Sequence, residues 1–222
     1  MKEVLVNNYP KSSLTEAIKS IKTNLRFSSI NKKISKLLIT SSMESEGKSF
    51  ISANLAATFA NSTEKVLLID CDLRKGRQHQ LFNIDNQLNL GLSNLLIDED
   101  WKKNLKKYIR ETDIDNLSIL TSGSIPPNPT SLLESTKLEQ VVTELEKKYD
   151  IIIFDTPPVT GLSDTLILTR LTDAVIIVAR SRKTTIELLE NTVESLKNVN
   201  ANIIGVILNR VKKSKNKYYK EY

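Results

Sequence analysis

The sequence predicts a doubly wound α/β domain, with a mainly parallel sheet covered by helices on both faces. Three observations predict it. Short, continuously apolar runs recur along the chain, as strands buried on both faces of a parallel sheet require. Longer amphipathic runs lie between them, the alternation that builds right-handed crossovers. The tripeptide Gly47-Lys48-Ser49 falls between the first apolar run and a helical pattern, so chemistry is expected at the carboxyl ends of the strands.

Taken in order, a helical pattern runs from Leu14 to Phe27, and the first strand is expected at Lys36 to Thr40 (KLLIT). A second helix follows at Lys48 to Ala60 and a second strand at Val66 to Asp70 (VLLID). The third strand is Leu117 to Thr121 (LSILT). Ser122 to Pro129 (SGSIPPNP) is proline-rich, and because alternation resumes after it we read it as a loop and not a domain linker. Beyond it come a helix at Lys137 to Tyr149, strands at Ile151 to Asp155 (IIIFD) and Ala174 to Ala179 (AVIIVA), a helix at Thr185 to Val199, and a last strand at Ile203 to Leu208 (IIGVIL). There is no internal repeat. One domain over residues 1–211 and a short tail over 212–222 are expected.

With 222 residues, 40% hydrophobic and 26% charged, the chain can bury a core, which excludes a disordered protein. The net charge of +6 is concentrated: six basic residues and one acid lie between Arg210 and Tyr222, leaving the body nearly neutral. Tyr218, Tyr219 and Tyr222 sit at the very end. The lone cysteine, Cys71, permits no internal disulfide and fits a small buried hydrophobe in a reducing, cytoplasmic setting. No apolar run approaches the roughly 20 residues that span a bilayer, and the N-terminus lacks the apolar core of a signal peptide. Work at a membrane therefore calls for a partner that holds the protein there.

Ser41-Ser42-Met43-Glu44-Ser45-Glu46-Gly47-Lys48-Ser49 matches the end of the phosphate-loop pattern G-x-x-x-x-G-K-[ST], with Ser42 in the first glycine position. Backbone N–H groups of such a loop and of the helix behind it surround phosphate oxygens, a lysine neutralises their charge and a hydroxyl ligates Mg²⁺. Lys48 and Ser49 occupy those two places. Glu44 and Glu46 oppose a polyanion unless they point away from it. Asp70 and Asp72 end one strand and Asp155 another, on the same edge as the loop, where a few carboxylates suffice for a hard ion that keeps its waters. A single Asp there would more often cap a turn; three converging on one Gly-Lys-Ser loop favour a metal-nucleotide site.

Together, SSMESEGKS, LLIDCDLRK, IIIFDTPP, TSGSIPPNP and the terminal tyrosines resemble the bacterial tyrosine kinases of capsule and exopolysaccharide assembly, of the CpsD/CapB type, within the MinD/ParA-like P-loop ATPases. The similarity extends over essentially the whole chain. It implies a non-specific protein-tyrosine kinase using ATP and Mg²⁺, with Ser45, Glu46, Gly47, Lys48, Ser49, Phe50, Asn209 and Arg210 on the nucleotide. It places Lys48 on the β- and γ-phosphates, and Ser49, Asp72 and Asp155 on Mg²⁺ or its waters. Asp70 would accept the tyrosine proton or orient that hydroxyl, and Tyr218, Tyr219 and Tyr222 would be the phosphoacceptors. Implied partners are a membrane-anchored activator that is also a chain-length determinant, further copies in a ring when unphosphorylated, and a cognate tyrosine phosphatase. An oligomerisation motif E-x-x-R-x-x-R on the first helix (12–29) corresponds here to Glu16, Lys19 and Lys22, within about 120° of one helical arc. Lysine keeps the charge without the bidentate fork of arginine. Relatives usually have Pro-Gly where this chain has Glu44-Ser45.

The tail SKNKYYKEY has no helical or strand pattern, so disorder is expected, and phosphates on its tyrosines would cancel or reverse its charge. No stacking platform or recognition motif points to nucleic acid. His79, the only histidine, fits a structural role, and Trp101 fits the core. Two other functions compete. A ParA/MinD-like positioning ATPase would carry an extra lysine at the place of Met43 and needs no tyrosine tail. A nucleotide-gated scaffold without kinase activity would bind ATP poorly. One cysteine excludes the cluster-dependent electron-transfer relatives.

Overall fold

The computed structural model describes residues 4–28, 33–84 and 90–212. In chain order the elements are α1 (Leu5–Asn8), α2 (Ser13–Ser28), β1 (Lys36–Ser41), α3 (Lys48–Ala60), β2 (Val66–Asp70), α4 (Gln78–Leu81), α5 (Leu92–Ile97), α6 (Trp101–Tyr108), β3 (Ile109–Glu111), β4 (Leu117–Leu120), α7 (Pro129–Glu134), α8 (Thr136–Glu146), β5 (Ile151–Asp155), α9 (Asp164–Leu168), β6 (Ala174–Arg180), α10 (Ile186–Asn198) and β7 (Ile203–Asn209). The seven strands lie in the order β3-β4-β2-β5-β1-β6-β7. Every pairing is parallel except β3 with β4. The doubly wound α/β class and all six expected strands are therefore present. The expected tail (212–222) falls, apart from Lys212, outside the described residues.

The strands read as unbroken apolar runs because both faces are covered. Along β1, Leu37 and Ile39 enter one core with Ile18 and Leu25 of α2 and Leu55 of α3. Leu38 enters the other with Trp101, Leu138 and Leu196. That alternation is the period-two geometry of a strand. Helix α3 is buried on nearly every side from Ile51 to Ala60. Ala53, Ala56, Ala57 and Ala60 have no side-chain bulk to hold the sheet and α2 away, so this helix sits close beneath the strand ends that carry the chemistry.

Helix limits follow local chemistry. Thr185, expected inside the last helix, is its N-cap, and its hydroxyl accepts from Leu188 N–H at 3.2 Å. Pro129 closes the expected loop by opening α7, where a fixed φ is favourable and no N–H is needed, with Asn128 as cap. Trp101 and Cys71 are core residues, as expected. β3 was not expected. It has three residues directly after α6, too few to show alternation. At the opposite edge β7 has no further strand beside it among the described residues, and Val206 and Leu208 are exposed there. No described helix is long and apolar enough to cross a membrane.

Candidate active site

β1 ends at Ser41 and α3 begins at Lys48, so the loop between them is held at the sheet's carboxyl edge. Its two carboxylates part company: Glu46 turns inward, while Glu44 stays exposed at the mouth and borders both cavities beside Asp72. Glu44 points outward to the Lys75 ammonium at 2.8 Å, whose hydrogen bond and charge hold that carboxyl below its usual range. Glu46 points inward and is 1% exposed. One oxygen accepts from Met43 N–H at 2.9 Å, and the other from the Thr184 hydroxyl before α10. Ser42, in the first glycine position, is buried and shares a 2.8 Å hydrogen bond with the Thr192 hydroxyl of α10. Asn209, at the end of β7, donates from Nδ2 to Glu46 O at 2.9 Å. The loop is thus fastened by β6, α10 and β7.

Two loop residues take left-handed conformations. Gly47 has φ +98° and Ser45 φ +64°. Ser45 stands where relatives usually have glycine, and for an L-residue that conformation costs about 1–2 kcal/mol. The space at Gly47 is also closed, because a Cβ there would lie 2.1 Å from Asn209 Nδ2.

Across β1 lie the acids. Asp70 and Asp155 are register partners on neighbouring strands, both fully buried. Asp70 accepts from Asp72 N–H at 3.2 Å and from Gln78 N–H at 3.0 Å. Burial and the facing Asp155 charge, only partly offset by those N–H groups, push its pKa up to about 8. Asp155 is also raised, by burial, against the opposing effects of Lys48, Gln78 and Ser49. Cys71 lies between the acids, and burial with their charge drives its thiol well up. Asp72 alone of the three faces open space. Its Oδ2 stands 3.5 Å from Lys48 Nζ, and it lines two cavities. One, of about 500 Å³, is bordered by Lys48, Ser49, Phe50, Arg77, Asn209 and Arg210. The other, of about 630 Å³, is bordered by Met43, Arg74, Pro157 and Lys183.

The structure therefore gathers Ser45, Gly47, Lys48, Ser49, Phe50, Asp72, Asn209 and Arg210 around one cavity, while Glu46, Asp70 and Asp155 are buried behind it and border neither cavity. Asp70 reaches neither cavity as placed. A Cβ on Gly76 would meet its Oδ2 at 2.8 Å, which shows how closely the Asp72–Gln78 turn covers it. The three residues of the α2 arc do not share one environment. Glu16 and Lys19 are exposed and paired at 2.8 Å, but Lys22 is 8% exposed and faces α3. Its ammonium donates to Thr58 O at 3.3 Å and to Ser62, pairs with Glu64 at 3.6 Å and lies over the Phe59 ring. Burial lowers its pKa, the Glu64 charge opposing. An aliphatic stem with a charged end fills such a position, and spacing alone does not reveal which way it turns. Tyr218, Tyr219 and Tyr222 lie outside the described residues. Sequence patterns missed Thr184, Thr192, Arg77 and Gln78, which belong to no motif.

The donor chemistry suits a hard cation: carboxylates, a hydroxyl and no nitrogen or thiolate ligand. Among the described residues no cluster of three or more His, Cys, Asp or Glu is arranged to hold a metal. Few protein oxygens are expected of a Mg²⁺ that keeps its waters and takes phosphate oxygens.

Residues 40–209 match the family described as AAA domain. The tyrosine-protein kinase YwqD of Bacillus subtilis (strain 168) is 37% identical over 221 residues, covering 100% of this chain and 91% of YwqD. The kinase domain of Escherichia coli tyrosine kinase ETK superposes with a TM-score of 0.88 at 34% identity, covering 98% of this chain and 84% of that one. Of the whole Escherichia coli (strain K12) protein etk the chain covers 27%. The septum site-determining protein MinD of Pyrococcus horikoshii, complexed with Mg-ADP, superposes with a TM-score of 0.65 at 26% identity over 81% of this chain and 72% of its own. Fold, loop geometry and these similarities agree that the chain belongs to the bacterial tyrosine-protein kinases, within the MinD/ParA-like P-loop ATPases.

Proposed function

We propose that the chain is an ATP-dependent protein tyrosine autokinase that phosphorylates Tyr218, Tyr219 and Tyr222 of neighbouring copies and thereby regulates capsular or exopolysaccharide synthesis and export. The observation that carries this is the juxtaposition of Lys48 and Asp72, 3.5 Å apart, above the register pair of Asp70 and Asp155. Phosphoryl transfer asks a protein chiefly for positioning and charge neutralisation. In this reading Lys48 neutralises the β- and γ-phosphates, and loop N–H groups with the N-terminus of α3 hold their oxygens. Ser49, Asp72 and Asp155 would hold Mg²⁺ directly or through water, and the ion would supply neutralisation of the charge that develops on the transferring group. Asp70, whose pKa is raised by burial and the facing Asp155 charge, is the candidate to accept the tyrosine proton or orient that hydroxyl. The Asp72–Gln78 turn must lift before a tyrosine hydroxyl reaches it. Asn209 and Arg210 flank the adenine end.

The basic segment from Lys212 onward is the substrate portion, and residues 1–211 the catalytic one. A membrane-anchored activator recruits the kinase from the cytoplasm, unphosphorylated copies assemble through Glu16 and Lys19, and a tyrosine phosphatase resets the tail. Purified chain with ATP, Mg²⁺ and the activator's cytoplasmic segment should gain phosphate on the three tyrosines by mass spectrometry. Lys48→Met should abolish it, yet become labelled when mixed with wild type. An unmodified tail under these conditions would refute the proposal. ATP hydrolysis stimulated by DNA or vesicles without phosphotyrosine would establish a positioning ATPase instead.

A further inference from the structure

Gln78 belongs to none of the sequence motifs, yet it touches more of the acidic floor than any residue that does. It opens α4 and is fully buried. Its backbone N–H donates to Asp70 Oδ2 at 3.0 Å. Its side-chain Nε2 donates to Asp155 Oδ2 at 2.8 Å and to Ser49 O at 3.1 Å. The amide hydrogens therefore meet a carboxyl oxygen and a backbone carbonyl, and the carbonyl, which only accepts, fixes the orientation. The flipped amide would set Oε1 against a carboxylate and a carbonyl. Oε1, so oriented, is buried and has no hydrogen-bond partner. A buried carbonyl without a donor costs about 1–3 kcal/mol, and such groups call for an explanation. None of the donors of the floor, the Lys48 ammonium and the Ser49 and Ser52 hydroxyls, is bonded to Oε1, and a bound group can supply the donor.

We propose that Gln78 is a positioning residue of the divalent-cation site: Nε2 fixes the Asp155 carboxylate for the ion, and Oε1 accepts from a water of the ion's hydration shell. This rests on reading the floor as a Mg²⁺-nucleotide site. Mg²⁺ holds several waters whose hydrogens point outward, and they are the donors that an orphaned acceptor beside these oxygens lacks. Outer partners of metal ligands orient the ligand, and losing one typically costs 10–100-fold in metal affinity.

The test is Gln78→Met, which keeps the length of the side chain and removes both hydrogen-bonding groups. Mn²⁺ binding is followed by electron paramagnetic resonance in saturating ADP, ADP binding by calorimetry without metal, and the unfolding midpoint in urea. The expected result is a Mn²⁺ dissociation constant raised at least about tenfold, with metal-free ADP affinity within about twofold of wild type. Unchanged Mn²⁺ affinity would overturn the proposal. So would a loss of metal-free ADP affinity in proportion to Mn²⁺ affinity, the mark of a merely structural residue. If the variant fails to fold, wild-type protein labelled with ¹⁵N at glutamine side chains serves. The Gln78 amide resonances should shift when Mg²⁺ joins the ADP complex, and their constancy would refute the inference. Wild-type protein that binds no Mn²⁺ with ADP would refute the metal-site reading itself, and Gln78 with it.

Discussion

Gly47→Ala should weaken both the fold and the grip on ATP, by an amount that depends on Asn209. Alanine at φ +98° carries a left-handed penalty of about 1–2 kcal/mol. Its Cβ would lie 2.1 Å from Asn209 Nδ2, so that amide must swing away and release Glu46 O, which it holds at 2.9 Å. A hydrogen bond of this kind contributes about 0.5–1.5 kcal/mol. Stiffening of the unfolded chain returns about 0.4–1 kcal/mol, leaving a net loss of roughly 0.5–3 kcal/mol. Asn209→Ala alone should cost about 1 kcal/mol by losing the same bond. In the double variant the bond is lost only once and the clash is gone, so the combined loss should fall short of the sum by about 0.5–1.5 kcal/mol. Urea unfolding of the four proteins, with ATP dissociation constants by calorimetry, measures the cycle. Additivity within about 0.3–0.5 kcal/mol would refute the claim that these residues meet across the loop.

Lys22→Met should lower stability by about 1–3 kcal/mol, because it removes charged hydrogen bonds between α2 and α3 while keeping the stem. Lys19→Met, in an exposed i,i+3 pair, should stay within about 0.5 kcal/mol; equal thermal shifts for the two would contradict the inward placement of Lys22. Asp173 supplies a pH dependence. Burial raises its pKa, but Ser35 N–H and hydroxyl and Lys36 N–H, all on Oδ2, outweigh this and leave it lowered. A carboxyl lowered by folding stabilises above its unfolded value of about 3.9, and that contribution is lost as pH falls through the lower folded value. Urea midpoints between pH 6 and pH 2.5 should therefore fall less steeply for Asp173→Asn than for wild type, and parallel curves would exclude this role.

The sheet was legible because β-branched apolar runs buried on both faces leave a signal independent of partners. Strand order and the Asp70–Asp155 register were not, since both depend on which helices cross over which face. The Gly-Lys-Ser loop and the acidic strand ends were visible as spacing. The residues that tie them together, Thr184, Thr192 and Gln78, lie far from the loop in sequence or outside any pattern, and a hydrogen bond between distant side chains writes no period into the chain. Lys22 shows the opposite failure. Its spacing puts it on one arc with Glu16 and Lys19, but its direction is set by Glu64 and Phe59, from another part of the fold.

The seam along β1 separates two flanks of the site, bridged by Lys48 to Asp72, Ser52 to Asp155 and Gln78 to Ser49. Phosphate-binding parts hang from the β6–β7–α10 flank through Thr184, Thr192 and Asn209; the acidic floor hangs from β2, β5 and α4. A change in sheet twist at that seam alters the distance between lysine and carboxylates without breaking any bond within either half. A load placed on the β7 edge would reach the Gly-Lys-Ser loop, through Asn209 and Glu46, before it reached the acids. Anything that grips this flank from outside would pull on the loop that carries Lys48 while touching none of the three acids.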